Sequence, residues 1–229
     1  LSAVSDSTAL AVTADVSDQA GNAATQFTKN IVLDTAAPTI DTLVVSTDDT
    51  VNSSDTKSAV AFSGTTIGVE DGQNITVDIG GVSTSVAVTD NAFSGTADLS
   101  AVSDSTALAV SADVSDAAGN AATQFSNTIV LDTVAPTIAN VSVADGTYKV
   151  GDTLAVTITA TGNETGLTLS SATFNGQTLT NITDNNDGTY SATYTVVEGD
   201  SDIADAGSVT TNLAFSDSAG NTGAATTSV

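Results

Sequence analysis

The chain has no cysteine, histidine, methionine or tryptophan, and its three basic residues are all lysine: Lys29, Lys57 and Lys149. Each absence removes a class of chemistry. Without Cys there is no disulfide framework and no thiolate nucleophile. Without His or Cys the usual ligand sets of zinc and copper are missing. Serines are abundant, but none has an imidazole to serve as its base. Three cations cannot displace the counterions of a phosphate backbone, so nucleic-acid binding is excluded. An anionic membrane surface is disfavoured on the same ground. No continuous apolar run reaches the roughly 18 residues a bilayer span needs, and membrane insertion is not expected. The chain opens in mid-phrase with no signal peptide, so targeting information is expected outside it. Proline occurs only at Pro38 and Pro136, each inside an Ala-Pro-Thr phrase that reads as punctuation between units.

What the chain does have is acid. Asp and Glu total 27, giving a formal charge of −24. Only Glu70, Glu164 and Glu198 are glutamate; every other acid is aspartate. Either acid confers solubility, but short Asp carboxylates in loops suit tight turns and hard cations. Apolar residues make up 40% of the chain and aromatics only 4%, so Val, Ile, Thr and Ala are expected to do most of the work in the cores. Such residues favour pleated, half-buried surfaces.

The sequence also repeats itself. Residues 1–40 recur as residues 99–138 with six differences, at an offset of 98. A weaker echo, SDSAGN at Ser216–Asn221, follows the SDAAGN of Ser115–Asn120 by 101 residues. A solenoid repeat is shorter, whereas about 100 residues is one small domain. The expected organisation is therefore residues 1–34 as the end of a preceding unit, then complete units at 35–132 and 133–229.

Within 35–132 the pattern predicts strands over 40–46 (A), 59–63 (B), 74–79 (C), 82–88, 92–99 (E), 106–114 (F) and 121–131 (G). Leu108, Val110, Ala112 and Val114 alternate inward along F. Gly80-Gly81 and, in the last unit, Asn175-Gly176 are two-residue hairpin signals. In 133–229, Leu154, Val156 and Ile158 alternate, as do Tyr190, Ala192, Tyr194 and Val196, and Val209, Thr211, Leu213 and Phe215. Seven short strands per unit predict an all-β fold: tandem immunoglobulin-like β-sandwiches in an extended, end-to-end array. Residues 1–34 supply only strands F and G of their unit. Two strands cannot bury a face, so this segment is expected to be poorly ordered or completed by another chain through strand exchange in a crystal.

In such a sandwich the B–C and F–G loops share one end. For the unit 35–132 that gathers Asp34 from the linker, Glu70 and Asp71 from B–C, and Asp116 from F–G. For 133–229 it gathers Asp132, Glu164 and Asp217. From the E–F loop of each preceding unit come Asp6 and Asp104. Like charges drawn together need a counter-charge, and no Lys lies near these loops in sequence. Oxygen-only donors from several loops point to Ca2+. The plainer reading is that the acids cap turns, since Asp-Ala-Ala-Gly-Asn is a good turn unaided. Asp49 and Asp55 are a further candidate pair within the A–B loop, against a plain solvated loop. A last group, Asp200, Asp202 and Asp205, reads as part of a junction at the other end of its unit.

No phosphate-binding glycine loop, nucleophile elbow or zinc-binding helix signature is present. Two acids could hydrolyse a glycoside, but the acids sit in turns and aromatic platforms for sugars are absent. An enzyme is not expected.

The phrases VSDAAGNAAT and IVLDTVAPTI (residues 114–138), VEDGQNITVDIGG (69–81) and DDTVNSSD (48–55) together resemble the bacterial Ig-like repeats of giant surface adhesins exported by type I secretion. Val51 stands where that family usually carries Gly. The resemblance implies an extracellular, cell-surface extender that spaces an adhesive tip from the cell in biofilm formation or attachment. It also implies calcium at the linkers as the stiffening ion, and adjacent repeats of the same chain as partners. A cell-surface or biofilm-matrix ligand would be met through other regions. The competing reading is a module that binds a glycan or protein, best placed in 133–229 with Tyr148, Tyr190 and Tyr194.

Overall fold

The computed structural model describes residues 5–203 and 207–229. They form β-strands joined by turns, with two short 3-10 segments at Lys57–Ala59 and Thr161–Asn163. The chain divides into two compact units: Leu1–Thr50 with Thr56–Val130, and Val51–Asp55 with Leu131–Val229.

The first unit opens with β1 (Ser7–Ala14) and β2 (Phe27–Leu33), which pair antiparallel as a two-stranded sheet of their own. Then come β3 (Thr39–Val45), β4 (Thr50–Val51), β5 (Val60–Ile67), β6 (Asn74–Ile79), β7 (Val82–Ala87), β8 (Ala92–Ala97), β9 (Ser105–Asp113) and β10 (Phe125–Leu131). They build one sheet in the order β3-β5-β8 and a second in the order β4-β10-β9-β6-β7. This is the predicted sandwich: strands A, B and E in one sheet, C, F and G in the other. Period-two alternation puts Ile75, Val77 and Ile79 in the core with Val110 and Ala112. On the facing sheet, Phe62 pairs with Gly95 and Phe93 with Gly64 across β5 and β8. Both rings are buried, and each lies over the partner glycine, where a β-carbon would collide with it. The Gly80-Gly81 turn has φ of 60° and 89°, the left-handed pair a tight hairpin demands.

The largest differences from expectation are two strand boundaries and one added strand. Strand B runs on to Ile67. Strand G begins at Phe125 rather than at residue 121, because Ala121 is taken up in a bridge with Ser115 that closes the F–G turn. The short strand β4 adds an eighth element.

The second unit contains β11 (Ile138–Val143), β12 (Thr153–Ala160), β13 (Thr168–Phe174), β14 (Gln177–Thr178), β15 (Thr180–Asp184), β16 (Thr189–Thr195), β17 (Thr210–Ser216) and β18 (Thr226–Ser228). One sheet has the order β11-β12-β16-β15, the other β14-β13-β17-β18. The core takes Leu154, Val156 and Ile158 from β12, Tyr190, Ala192 and Tyr194 from β16, and Leu213 and Phe215 from β17. Two aromatic pairs sit inside it, Tyr190 with Phe215 and Phe174 with Tyr194, with ring centroids 4.5 and 5.2 Å apart. Asn175 and Gly176 turn β13 into β14 with φ of 48° and 80°, the hairpin read from their sequence.

From residue 5 onward the opening segment is a paired hairpin, β1 with β2. What the hairpin lacks is cover. Val12 is 42% exposed and Ile31 36%, while their counterparts Val110 and Ile129 are 2% and 3% exposed in a nearly identical stretch.

Candidate functional site

The predicted acids divide by what holds them. In the first unit, Asp116 is buried at the start of the F–G turn. Its Oδ1 accepts the N–H of Asn120 and its Oδ2 accepts Asn120 Nδ2, both at 2.8 Å. Burial alone would push this carboxyl up, but the hydrogen bonds from Asn120 and the turn amides outweigh it and hold the group below its ordinary value. Glu70 reaches the same turn, its Oε2 accepting the N–H of Ala117 at 2.8 Å. Asp34 joins through its main chain, whose carbonyl accepts Asn120 Nδ2 at 3.2 Å. Asp71 turns away to accept the N–H of Asp90 at 2.8 Å. The structure thus brings Asp34, Glu70 and Asp116 to one turn and sends Asp71 elsewhere.

The second unit repeats the turn. Asp217 Oδ1 accepts the N–H groups of Ala219 and Asn221, each at 2.9 Å, and the Asp132 carbonyl accepts Asn221 Nδ2 at 3.0 Å. Glu164 makes a different use of its place. Partial burial, then the charges of Asp217 and Asp132, push its carboxyl up. The charges of Asp217 and Asp132 thus act on Glu164.

The remaining candidates are occupied locally. Asp6 accepts the Thr35 hydroxyl at 2.8 Å. Asp104 forms an ion pair with Lys57 Nζ at 3.1 Å, and the same ammonium donates to the Val102 carbonyl at 2.9 Å. Lys57 lies 47 residues away in sequence and is brought there by the fold. Asp49 Oδ1 accepts the N–H of Val45 at 2.9 Å, and Asp55 Oδ2 accepts that of Asn52 at 2.9 Å, so each closes its own turn. Among the described residues no three acids form a group that could hold a metal ion. The donors are hard oxygens throughout, the kind calcium takes, and a carboxylate that accepts one hydrogen bond keeps lone pairs for a ligand.

Asp200 has a structural role that its sequence does not announce. It accepts the Tyr194 hydroxyl at 2.6 Å, Gln177 Nε2 at 2.8 Å and the Val197 N–H at 2.8 Å. Asp205, read with it as part of a junction, lies outside the described residues. The asparagines of the turns were also missed as organising residues, although their recurrence in three copies of the Ser-Asp-x-Ala-Gly-Asn phrase is a visible signal. Tyr190 and Tyr194, read as candidates for a ligand-binding face, are in the core, and only Tyr148 is exposed.

The paired sheets and strand order define a protein of immunoglobulin-like sandwiches. Residues 132–229 match the bacterial Ig-like domain family. No curated protein matches. Among solved structures, the chain is similar to one from a 1.5-MDa bacterial ice-binding adhesin concerned with retention at the host cell surface, at 26% identity and a TM-score of 0.47, over 99% of this chain and 75% of that one. A Ca2+-stabilized adhesin of an Antarctic bacterium that reaches out and binds ice is 32% identical, TM-score 0.47, over 96% of this chain and 56% of that one. A tetra-tandem repeat from the extending region of a large adhesion protein is 28% identical, TM-score 0.40, over 95% of this chain and 55% of that one. The chain spans little more than half the length of the last two.

Proposed function

We propose that this chain is a stretch of the calcium-stiffened extender of a large bacterial surface adhesin, with no catalytic role. The observation that carries this reading is the 40-residue phrase repeated at an offset of 98, folded as the same strand pair in both copies, β1-β2 and β9-β10. A domain-length repeat with few aromatics and no catalytic constellation suits spacing better than recognition. On this reading residues 1–34 are the last two strands of a preceding repeat, and 35–132 and 133–229 are whole repeats. The array stands at the cell surface, and its neighbours are further repeats of the same chain. Holding a tip away from the cell serves attachment and biofilm formation.

Calcium in the second unit would have to draw Glu164, Asp132 and Asp217 closer than they stand, and the charge that the two aspartates set against Glu164 supports a counter-cation there. In the first unit the corresponding set is Asp34, Glu70 and Asp116, and Asp71 would have to leave the Asp90 N–H to join it. The acids Asp6, Asp104, Asp49 and Asp55 are second candidates, already bonded to protein groups. The ion would supply positive charge and oxygen coordination, and binding only the folded form would stabilise it by mass action.

Thermal unfolding and small-angle scattering, each in calcium and in EGTA, test the reading. The expected result is a higher melting temperature and a larger maximum dimension with calcium. Indifference of both quantities to EGTA overturns the calcium part. Rapid, calcium-independent interconversion between bent and extended forms would speak against a stiff extender.

A further inference from the structure

The chain carries three copies of one turn: Ser17–Asn22, Ser115–Asn120 and Ser216–Asn221. In each, the Asp accepts the Asn main-chain N–H through Oδ1, at 2.9, 2.8 and 2.9 Å in chain order. It accepts the Asn side-chain amide through Oδ2, at 2.7, 2.8 and 2.9 Å. In the second and third turns the same Nδ2 also donates to a linker carbonyl, that of Asp34 or Asp132. With both amide hydrogens committed, the planar group has one orientation left, and its Oδ1 is aimed away from the turn.

The third turn shows what that oxygen is for. Asn221 Oδ1 accepts the main-chain N–H of Ser53 at 2.6 Å, and the adjacent Ala219 carbonyl accepts Asn52 Nδ2 at 2.9 Å. Asn52 and Ser53 belong to the same compact unit as this turn. They too are preset. The Asn52 oxygen is taken by the Ser54 N–H at 2.9 Å and the Ser54 hydroxyl at 2.6 Å, which leaves its Nδ2 pointing outward. Asp55 fixes the Asn52 backbone. The result is two donors from an Asn-Ser step meeting two acceptors from an Ala-Gly-Asn turn, with Asn221 wholly buried.

The second turn has the same acceptors in the same setting. Among the described residues nothing donates to Asn120 Oδ1 or to the Ala118 carbonyl, and Asn120 is only half-buried. We propose that the turn Ser115–Asn120 is a socket for the Asn-Ser loop of another Ig-like repeat, with Ala118 O and Asn120 Oδ1 as its two acceptors. The inference rests on the tandem-repeat reading but not on calcium. It assigns recognition between repeats to two neutral hydrogen bonds. A loop with Asp in place of the Asn would set a carboxylate against the Ala118 carbonyl, and one with Pro in place of the Ser would bring no N–H.

The test uses the 229-residue chain, labelled with 15N and held in EGTA, with a synthetic cyclic peptide of residues 47–56 as probe. The expected result is a saturable shift of the Asn120 side-chain and Gly119 main-chain amides, with Asn221 unmoved because its acceptor is already filled. A peptide carrying Asn52→Ala should bind roughly tenfold more weakly. No change at Asn120 up to millimolar peptide, or equal shifts with the two peptides, overturns the proposal. Because calcium is absent throughout, either result leaves the calcium reading to its own experiment.

Discussion

The hydroxyl of Tyr190 donates to the main-chain carbonyl of Glu164 at 3.2 Å. The same oxygen accepts the N–H of Leu167 at 3.0 Å. One buried side chain thus ties down both ends of the loop that carries Glu164. Its ring packs on Phe215, two residues ahead of Asp217, so a single aromatic pair supports the two loops bearing the candidate ligands. Tyr190→Phe keeps the ring and strands the Leu167 N–H. The expected cost is about 1–3 kcal/mol, seen as a lower melting temperature of the second unit by calorimetry, with the first unit unchanged.

The duplicated strand pair offers an internal control. Val110 is packed between sheets and Val12, in the same local sequence, is not. Val110→Ala should destabilise the first unit by roughly 2 kcal/mol through lost burial and a cavity. Val12→Ala should fall within about 0.5 kcal/mol of the parent chain. Denaturant titration of the two variants checks the contrast, and equal losses would contradict the exposed state of the hairpin.

Gly64 sits where Phe93 needs room. A β-carbon there would collide with the Phe93 ring and with the Thr42 carbonyl, and backbone cannot swing aside. Gly64→Ala should cost about 1–3 kcal/mol by overpacking, although alanine suits a strand better than glycine. A Gly64→Ala, Phe93→Leu double variant should recover part of the loss, measured as a coupling in thermal melts.

Asp200 gives the second unit an acid-sensitive fastening. The hydrogen bond from Tyr194, then that from the Val197 N–H, hold its carboxyl below the ordinary value, against partial burial. An acid that is stronger folded than unfolded stabilises the fold above its unfolded pKa. That contribution is lost as pH falls through the lower, folded value. Melting temperature should therefore drop on acidification through and below the ordinary carboxylate range. Asp200→Asn should flatten part of that drop, as followed by melts in a series of buffers without calcium.

Much of the sandwich was legible along the chain because burial in a pleated sheet writes itself as alternation. Leu154, Val156 and Ile158 have no other sensible arrangement than one face of a strand, and Gly80-Gly81 permits the left-handed turn that few other pairs tolerate. The candidate acids were legible as loop residues, but not by their partners. Glu70 lies 47 residues from the Ala117 amide it accepts, and Lys57 the same distance from Asp104. Nothing local in either stretch marks the match.

Composition and repetition settle several matters without coordinates. A chain with no Cys or His has no thiol or imidazole to use, and a repeat of 98 residues has the length of a small domain. These follow from atoms that are present or missing and from lengths, which folding does not alter. Which oxygen meets which hydrogen is another matter. The hairpin β1-β2 and its double β9-β10 have nearly one sequence, yet one face is bare and the other is core. Burial belongs to a residue's surroundings, and those are assembled from strands far away in the chain.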